Sequence, residues 1–112
     1  MSLAQAIAAK MAPFAGEDVG IGRTVVKFDG GQDGVVVIDA TSSPAKISCD
    51  DRAADCTVKI GAPFLHKTLA GEFTVGEAYL KFVRGVEGKQ ALAVLVQPFL
   101  RRVAAGAARK EP

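Results

Sequence analysis

Two glycines, Gly71 and Gly88, bracket the stretch that most narrows what this chain can become: Gly-Glu-Phe-Thr-Val-Gly-Glu-Ala-Tyr-Leu-Lys-Phe-Val-Arg-Gly-Val-Glu-Gly. Two periods fit between them. Val75 to Lys81 reads as a short, aromatic-rich amphipathic helix, and Val83 to Glu87 alternates as a strand does. Glycine supplies the stop at each end. Upstream, Ala53-Ala54-Asp55-Cys56-Thr57-Val58-Lys59-Ile60 is a strand that feeds the helix ending at Gly71.

The rest of the chain follows the same two periods. Leu3, Ile7 and Met11 recur every four residues between Ser2 and about Phe14, and Ser2 with Gln5 makes a capping-box pattern. Pro13, Gly16, Gly20 and Gly22 close this first helix. Thr24, Val26 and Phe28 then alternate with Arg23, Lys27 and Asp29, which places Val26 and Phe28 on a buried strand face. Gly30-Gly31-Gln32-Asp33-Gly34 turns the chain into a partner strand, Val35 to Asp39. Lys46 to Cys49 and Asp55 to Ile60 alternate again around an Asp50-Asp51-Arg52 turn. Cys56, Val58 and Ile60 share one face, while Asp55, Thr57 and Lys59 face water. An antiparallel sheet with one wet side and one side covered by helices follows.

Gly61-Ala62-Pro63 opens a helix carrying Phe64, Leu65, Thr68 and Leu69, with proline in its first turn. After Gly88, Gln90 to Gln97 is a nearly all-apolar helix punctuated by Pro98. Leu92, Leu95, Val96, Phe99, Leu100 and Val103 continue one stripe through that proline, so both pieces press on the same surface. The class is α+β, one domain of 112 residues with a frayed tail over about 104–112.

The apolar content of 49% with 23% charged residues suits an ordered globular chain, and no apolar run approaches the roughly 18 residues of a membrane span. Met1 to Ile7 lacks a basic leader segment and the chain ends Arg109-Lys110-Glu111-Pro112, so a cytoplasmic location is expected. The first 55 residues carry five basic and eight acidic side chains, and the remainder nine and four. That basic second half is dispersed and has one tyrosine and no tryptophan for stacking, so no nucleic acid is expected as a partner.

The chemistry of an enzyme is missing from the pattern. His66 is the sole histidine and its neighbours offer no ligand spacing, Asp50 and Asp51 point apart in a turn, and the hairpin glycines precede no helix or lysine that would cradle phosphate. Neither a cofactor nor a metal is expected. Cys49 and Cys56 could meet across adjacent strands; without further redox features they are assigned to packing as reduced thiols.

In order and spacing, the Ala-Asp-Cys-Thr strand, the Leu69-Ala70-Gly71-Glu72 helix end, the Ala78-Tyr79 pair and the Val86-Glu87-Gly88 strand end resemble the sterol carrier protein type 2 family over most of the chain. Two positions depart from it: Val75 stands where the family usually has proline, and Phe82 where it usually has a glycine opening the last strand. The resemblance implies a five-stranded, mainly antiparallel sheet with helices on one face, and a non-catalytic binder or carrier of long-chain lipids such as fatty acid, acyl-CoA, sterol-like or isoprenoid molecules. It also implies a tunnel between sheet and helices, with the final helix as a lid.

Phe64, Leu65, Leu69, Phe73, Tyr79, Phe82, Leu92, Leu95, Val96, Phe99 and Leu100 would line that tunnel. By pattern alone the same side chains are an ordinary core. Tyr79 offers the only aromatic hydroxyl for a head group, and Lys81, Arg84 or Lys89 could meet a carboxylate or phosphate at a mouth. Arg101, Arg102, Arg109 and Lys110 oppose only Glu111 near the C-terminus, which suggests transient contact with an anionic membrane. The other reading is an accessory domain that binds protein partners, as in ubiquinone assembly; which protein partner is unknown.

Overall fold

The computed structural model describes residues 2–108. Helix α1 spans Leu3–Met11 and opens with the expected capping box: the Ser2 hydroxyl accepts from the Gln5 amide at 3.1 Å, and the Gln5 side chain accepts from the Ser2 amide at 2.8 Å. Its buried stripe is Ala4, Ile7 and Met11, with Leu3 at the margin. A 3₁₀ turn containing Pro13 ends it. Strands β1 (Val25–Asp29) and β2 (Val35–Asp39) form a hairpin whose turn is itself a short 3₁₀ segment, Gly31–Asp33, entered at φ 68° by Gly31 and left at φ 96° by Gly34. Glycine tolerates both values.

Strands β3 (Lys46–Ser48), β4 (Cys56–Ile60) and β5 (Val83–Gly88) complete a five-stranded sheet in the order β3-β2-β1-β4-β5. Every pair is antiparallel except β1 with β4, which is parallel. The sheet is therefore mainly antiparallel, and the parallel pair has a topological cause: the chain leaves β3 at one edge and returns beyond β1. The connection crosses the outer face. Lys27 Nζ holds it by donating to the Asp51 carboxylate at 2.7 Å and the Arg52 carbonyl at 2.9 Å, Arg52 pairs with Asp39, and the Val25 amide donates to Asp55 Oδ2 at 2.8 Å. Beneath this strap Val25 and Val37 are buried on the face expected to be wet. β3 and β4 are separated by two strands, so Cys49 and Cys56 do not face each other across a pair; both are free thiols.

Helices α2 (Ala62–Leu69), α3 (Val75–Lys81), α4 (Gln90–Leu95) and α5 (Gln97–Ala108) follow. With α1 they cover the inner face of the sheet, where Val26, Phe28, Val36, Ile38, Cys56, Val58 and Ile60 pack against Leu65, Leu69, Leu92, Val96, Phe99, Leu100 and Val103 in one core. Thr68 is the buried polar side chain among them, and its hydroxyl donates to the Phe64 carbonyl at 2.7 Å, which removes the cost of burying it. The apolar run after Gly88 breaks at Val96, leaving Pro98 in the first turn of α5, where a missing amide costs nothing. Residues 104–108 of the expected frayed tail are helical, and 109–112 lie outside the described residues.

Candidate functional site

Cover over the sheet thins at β5. Val83 and Val86 point inward, opposite Ile60 and Val58, yet they are only half-buried whereas Ile60 and Val58 are fully enclosed. Helices α3 and α4 each lean on β5 and α5 without packing closely on one another. The sequence dictates this arrangement locally. A second capping box starts α3, with the Thr74 hydroxyl accepting from the Glu77 amide at 3.0 Å and Glu77 accepting from the Thr74 amide at 3.0 Å. At the far end of β5, Gly88 at φ 85° turns the chain so that Lys89 can donate to the Asp55 carbonyl at 2.8 Å and α4 can start over β4.

At the near end of β5 three aromatic rings gather. Phe64 of α2 stacks on Phe82 with centroids 4.2 Å apart and planes 4° from parallel, and Phe73 leans on Phe82 at 5.0 Å. Such pairs contribute about 0.5–1.5 kcal/mol beyond area burial. Phe64 remains 40% exposed. It and Phe82 form the apolar wall of a cleft of about 430 Å³, which Gly61 continues, while Gly30, Gly31, Gln32 and Asp33 of the hairpin form the facing wall and Arg84 stands at the β5 side. The cleft volume falls within the 300–1,000 Å³ usual for small-molecule sites.

Tyr79 lies between α3 and the rest of the helical cover. Its hydroxyl is buried with no hydrogen-bond partner among the described residues. Burial, then the nearby Cys56, push its pKa well above the ordinary phenol value, and Arg101 only partly opposes them. Tyr79 is therefore a neutral phenol with an unused hydrogen bond, in a region where leaving it unmade costs about 1–3 kcal/mol. Burial likewise raises the Cys56 thiol. An un-ionised thiol is a poor nucleophile. No group of three His, Cys, Asp or Glu side chains able to hold a metal occurs among the described residues.

The eleven residues singled out from sequence divide three ways. Leu65, Leu69, Leu92, Val96, Phe99 and Leu100 are buried in the core; Phe73, Tyr79 and Phe82 are half-buried; Phe64 and Leu95 are exposed. Leu95, at 48% exposure, leaves the expected stripe. With Leu92, Ala93 and Val96 inward, it falls roughly 100° round the helix from the buried face. Lys81 and Lys89 are exposed away from the cleft lining, whereas Arg84 belongs to it. Of the basic C-terminal group, Arg101 is exposed, Arg102 donates to the Asp18 carbonyl, and Arg109, Lys110 and Glu111 lie outside the described residues. Sequence reasoning passed over the hairpin wall and the half-open pair Val83 and Val86. The three-residue spacing of those valines, where a strand alternates by two, was the available signal of an irregular β5.

Neither family models nor curated proteins give a match to the chain. Solved structures do. The sterol carrier protein domain 2 of Helicoverpa armigera superposes with a TM-score of 0.64 at 17% identity, over 90% of this chain and 87% of that one. Sterol carrier protein 2 from Aedes aegypti, in complex with palmitate, gives 0.56 at 24% identity, over 88% and 90%. A UbiJ–SCP2 ubiquinone synthesis protein gives 0.56 at 18% identity, over 93% and 94%.

Proposed function

We propose that this chain, which has the sterol carrier protein 2 fold, is a non-catalytic carrier of long-chain lipids. One observation carries the reading: on a fold whose solved examples include a palmitate complex, the stacked rings of Phe64 and Phe82 are left open to a cleft of about 430 Å³ at the thinly covered end of the sheet. The ligand enters there and extends as an apolar tunnel between β5 and the α3–α4 pair, over Val83 and Val86. Tyr79 supplies a hydrogen bond to any oxygen the ligand carries. Each methylene leaving water contributes about 0.8 kcal/mol, so a fatty acyl, sterol-like or isoprenoid chain is held without a covalent step. A cytoplasmic site of action fits the two free thiols.

Extraction of the purified protein followed by mass spectrometry should find bound lipid, and a fluorescent fatty acid should bind at micromolar concentration. Leu95→Asp is the outward control, because that side chain already meets water and lies off the tunnel path: fold and binding should both be unchanged. Absence of binding by any acyl, sterol or quinone probe would remove the carrier reading. Transient contact with anionic membranes belongs to the same reading: transfer should be faster to anionic than to neutral vesicles and should slow with salt.

A second reading, an accessory domain for protein partners in ubiquinone assembly, is favoured by Leu80 at 84% and Val94 at 63% exposure on α3 and α4, and by the likeness to the ubiquinone synthesis protein. Leu80→Ser with Val94→Ser separates the two, since it removes exposed apolar surface while sparing the cleft. Unchanged lipid binding with lost cellular function would favour the partner role.

A further inference from the structure

Strand β5 contains an irregularity that decides where a cation goes. Val86 pairs with Val58 and Gly85 with Lys59, but Ile60 meets Val83, so Arg84 is the extra residue of a β-bulge. Regular alternation would give Arg84 the inward place opposite Ile60, whose own side chain is 2% exposed. A guanidinium there would be desolvated without a partner. The bulge gives that place to Val83 and turns Arg84 outward to the rim, as bulges commonly re-aim a side chain.

On the rim Arg84 is exposed and lines the cleft beside Phe82. No carboxylate stands within ion-pair distance of it among the described residues, although five other basic side chains, Lys27, Arg52, Lys59, Lys81 and Arg102, have such partners at 2.5 to 4.0 Å. Among the described residues the only other charged side chain lining the cleft, Asp33, lies on the hairpin wall. An uncommitted fork of donors at one end of a flat aromatic wall is an amphipathic receptor. The guanidinium plane suits a carboxylate or phosphate, and the Phe64–Phe82 stack suits the methylenes next to it.

We infer that Arg84 is the specificity-determining residue of this cleft and selects amphiphiles with an anionic head, carboxylate or phosphate, seated on the β5 side. The inference rests on the lipid-carrier reading and adds the head group to it. Asp33 repels an anion from the hairpin wall and thereby fixes which way round the ligand lies.

Displacement of a fluorescent acyl probe by dodecanoate, dodecyl phosphate and dodecanol at pH 8 tests it on the full chain, with circular dichroism to monitor the fold. Both anions should bind about tenfold or more tighter than the alcohol, the scale of one charge-assisted hydrogen bond. Arg84→Gln should shrink the ratio of anion to alcohol affinity to about twofold or less, and Arg84→Lys should restore part of it. The two anions distinguish a carboxylate from a phosphate head. Equal binding of all three ligands by the unaltered protein, or an undiminished preference in Arg84→Gln, would overturn the role of Arg84 while the carrier reading stands. Failure of all three to bind removes both.

Discussion

Replacing Gly88 with alanine should disrupt the junction that places α4 over the site, and the neighbouring Gly85 provides the control. At Gly88 φ is 85°, and an added Cβ would lie 2.3 Å from the Asp55 carbonyl oxygen, a backbone atom that no rotamer change can remove. The left-handed conformation alone costs an L-residue about 1–2 kcal/mol. Relief of the clash requires β4 and β5 to separate where Cys56 pairs with Gly88, and it stretches the 2.8 Å bond from Lys89 to Asp55, which costs about 1 kcal/mol for each hydrogen bond lost. The total is about 2–3 kcal/mol, a large part of the 5–15 kcal/mol that holds an ordinary domain.

A Cβ on Gly85 would instead meet only Lys59 Cδ at 3.9 Å, and its φ is not positive. Gly85→Ala should therefore stay within about 0.5 kcal/mol of the parent or be slightly stabilised through the unfolded chain. Urea unfolding followed by circular dichroism reads both. With a slope of about 2 kcal/mol/M, Gly88→Ala should lower the midpoint by about 1–1.5 M. A loss below about 1 kcal/mol, or equal losses in the two variants, would refute the steric argument.

Alanine at Phe64, at Phe82 and at both should show a coupling of about 0.5–1.5 kcal/mol in a double-mutant cycle; additive losses would mean that the stack contributes only its area. Tyr79→Phe should raise stability by about 1 kcal/mol in lipid-free protein, since it deletes an unpartnered buried hydroxyl, and a loss of similar size would reveal a hydrogen bond in solution. Because the folded chain holds the Tyr79 proton above the value of 10.0 at which the unfolded phenol releases it, stability should fall as pH rises past 10, and Tyr79→Phe should flatten that fall. The Asp39 carboxyl is held below its ordinary 3.8 by the Thr41 hydroxyl and amide, with Arg52 assisting. Its contribution is thus present above pH 3.8 and lost as pH drops through the lowered folded value; an unchanged acid limb in Asp39→Asn would count against it.

Local pattern was enough to place most elements, because the signals that start and stop them are short-range. Ser2 with Gln5 caps α1, Pro63 opens α2, Gly71 at φ 87° and Gly88 at φ 85° end the segments before them, and alternation located Cys56, Val58 and Ile60 on the inward face of β4. Spacing of the motifs also pointed to the fold that the solved structures share. Chain tracing across the sheet was a different matter. That β4 pairs with β1 in parallel, and that residues 49–55 strap the outer face and bury Val37, depends on Lys27, Asp39, Asp51 and Arg52 meeting across distances the sequence does not encode locally.

The site shows the same division. Sequence named Phe64, Phe73 and Phe82 as apolar candidates, and only packing stacked two of them into a cleft wall while closing Leu65, Leu69 and Phe99 into solid core. Periodicity put Leu95 inside; the break at Val96 turned it out. Arg84 was one of three basic residues that could meet a head group, and a single extra residue in β5 placed it alone at the cleft. The spacing of Val83 and Val86 by three signals an irregular strand, but a bulge is a mismatch between two strands, so only the pairing of Ile60 with Val83 decides that Arg84 is the residue turned out.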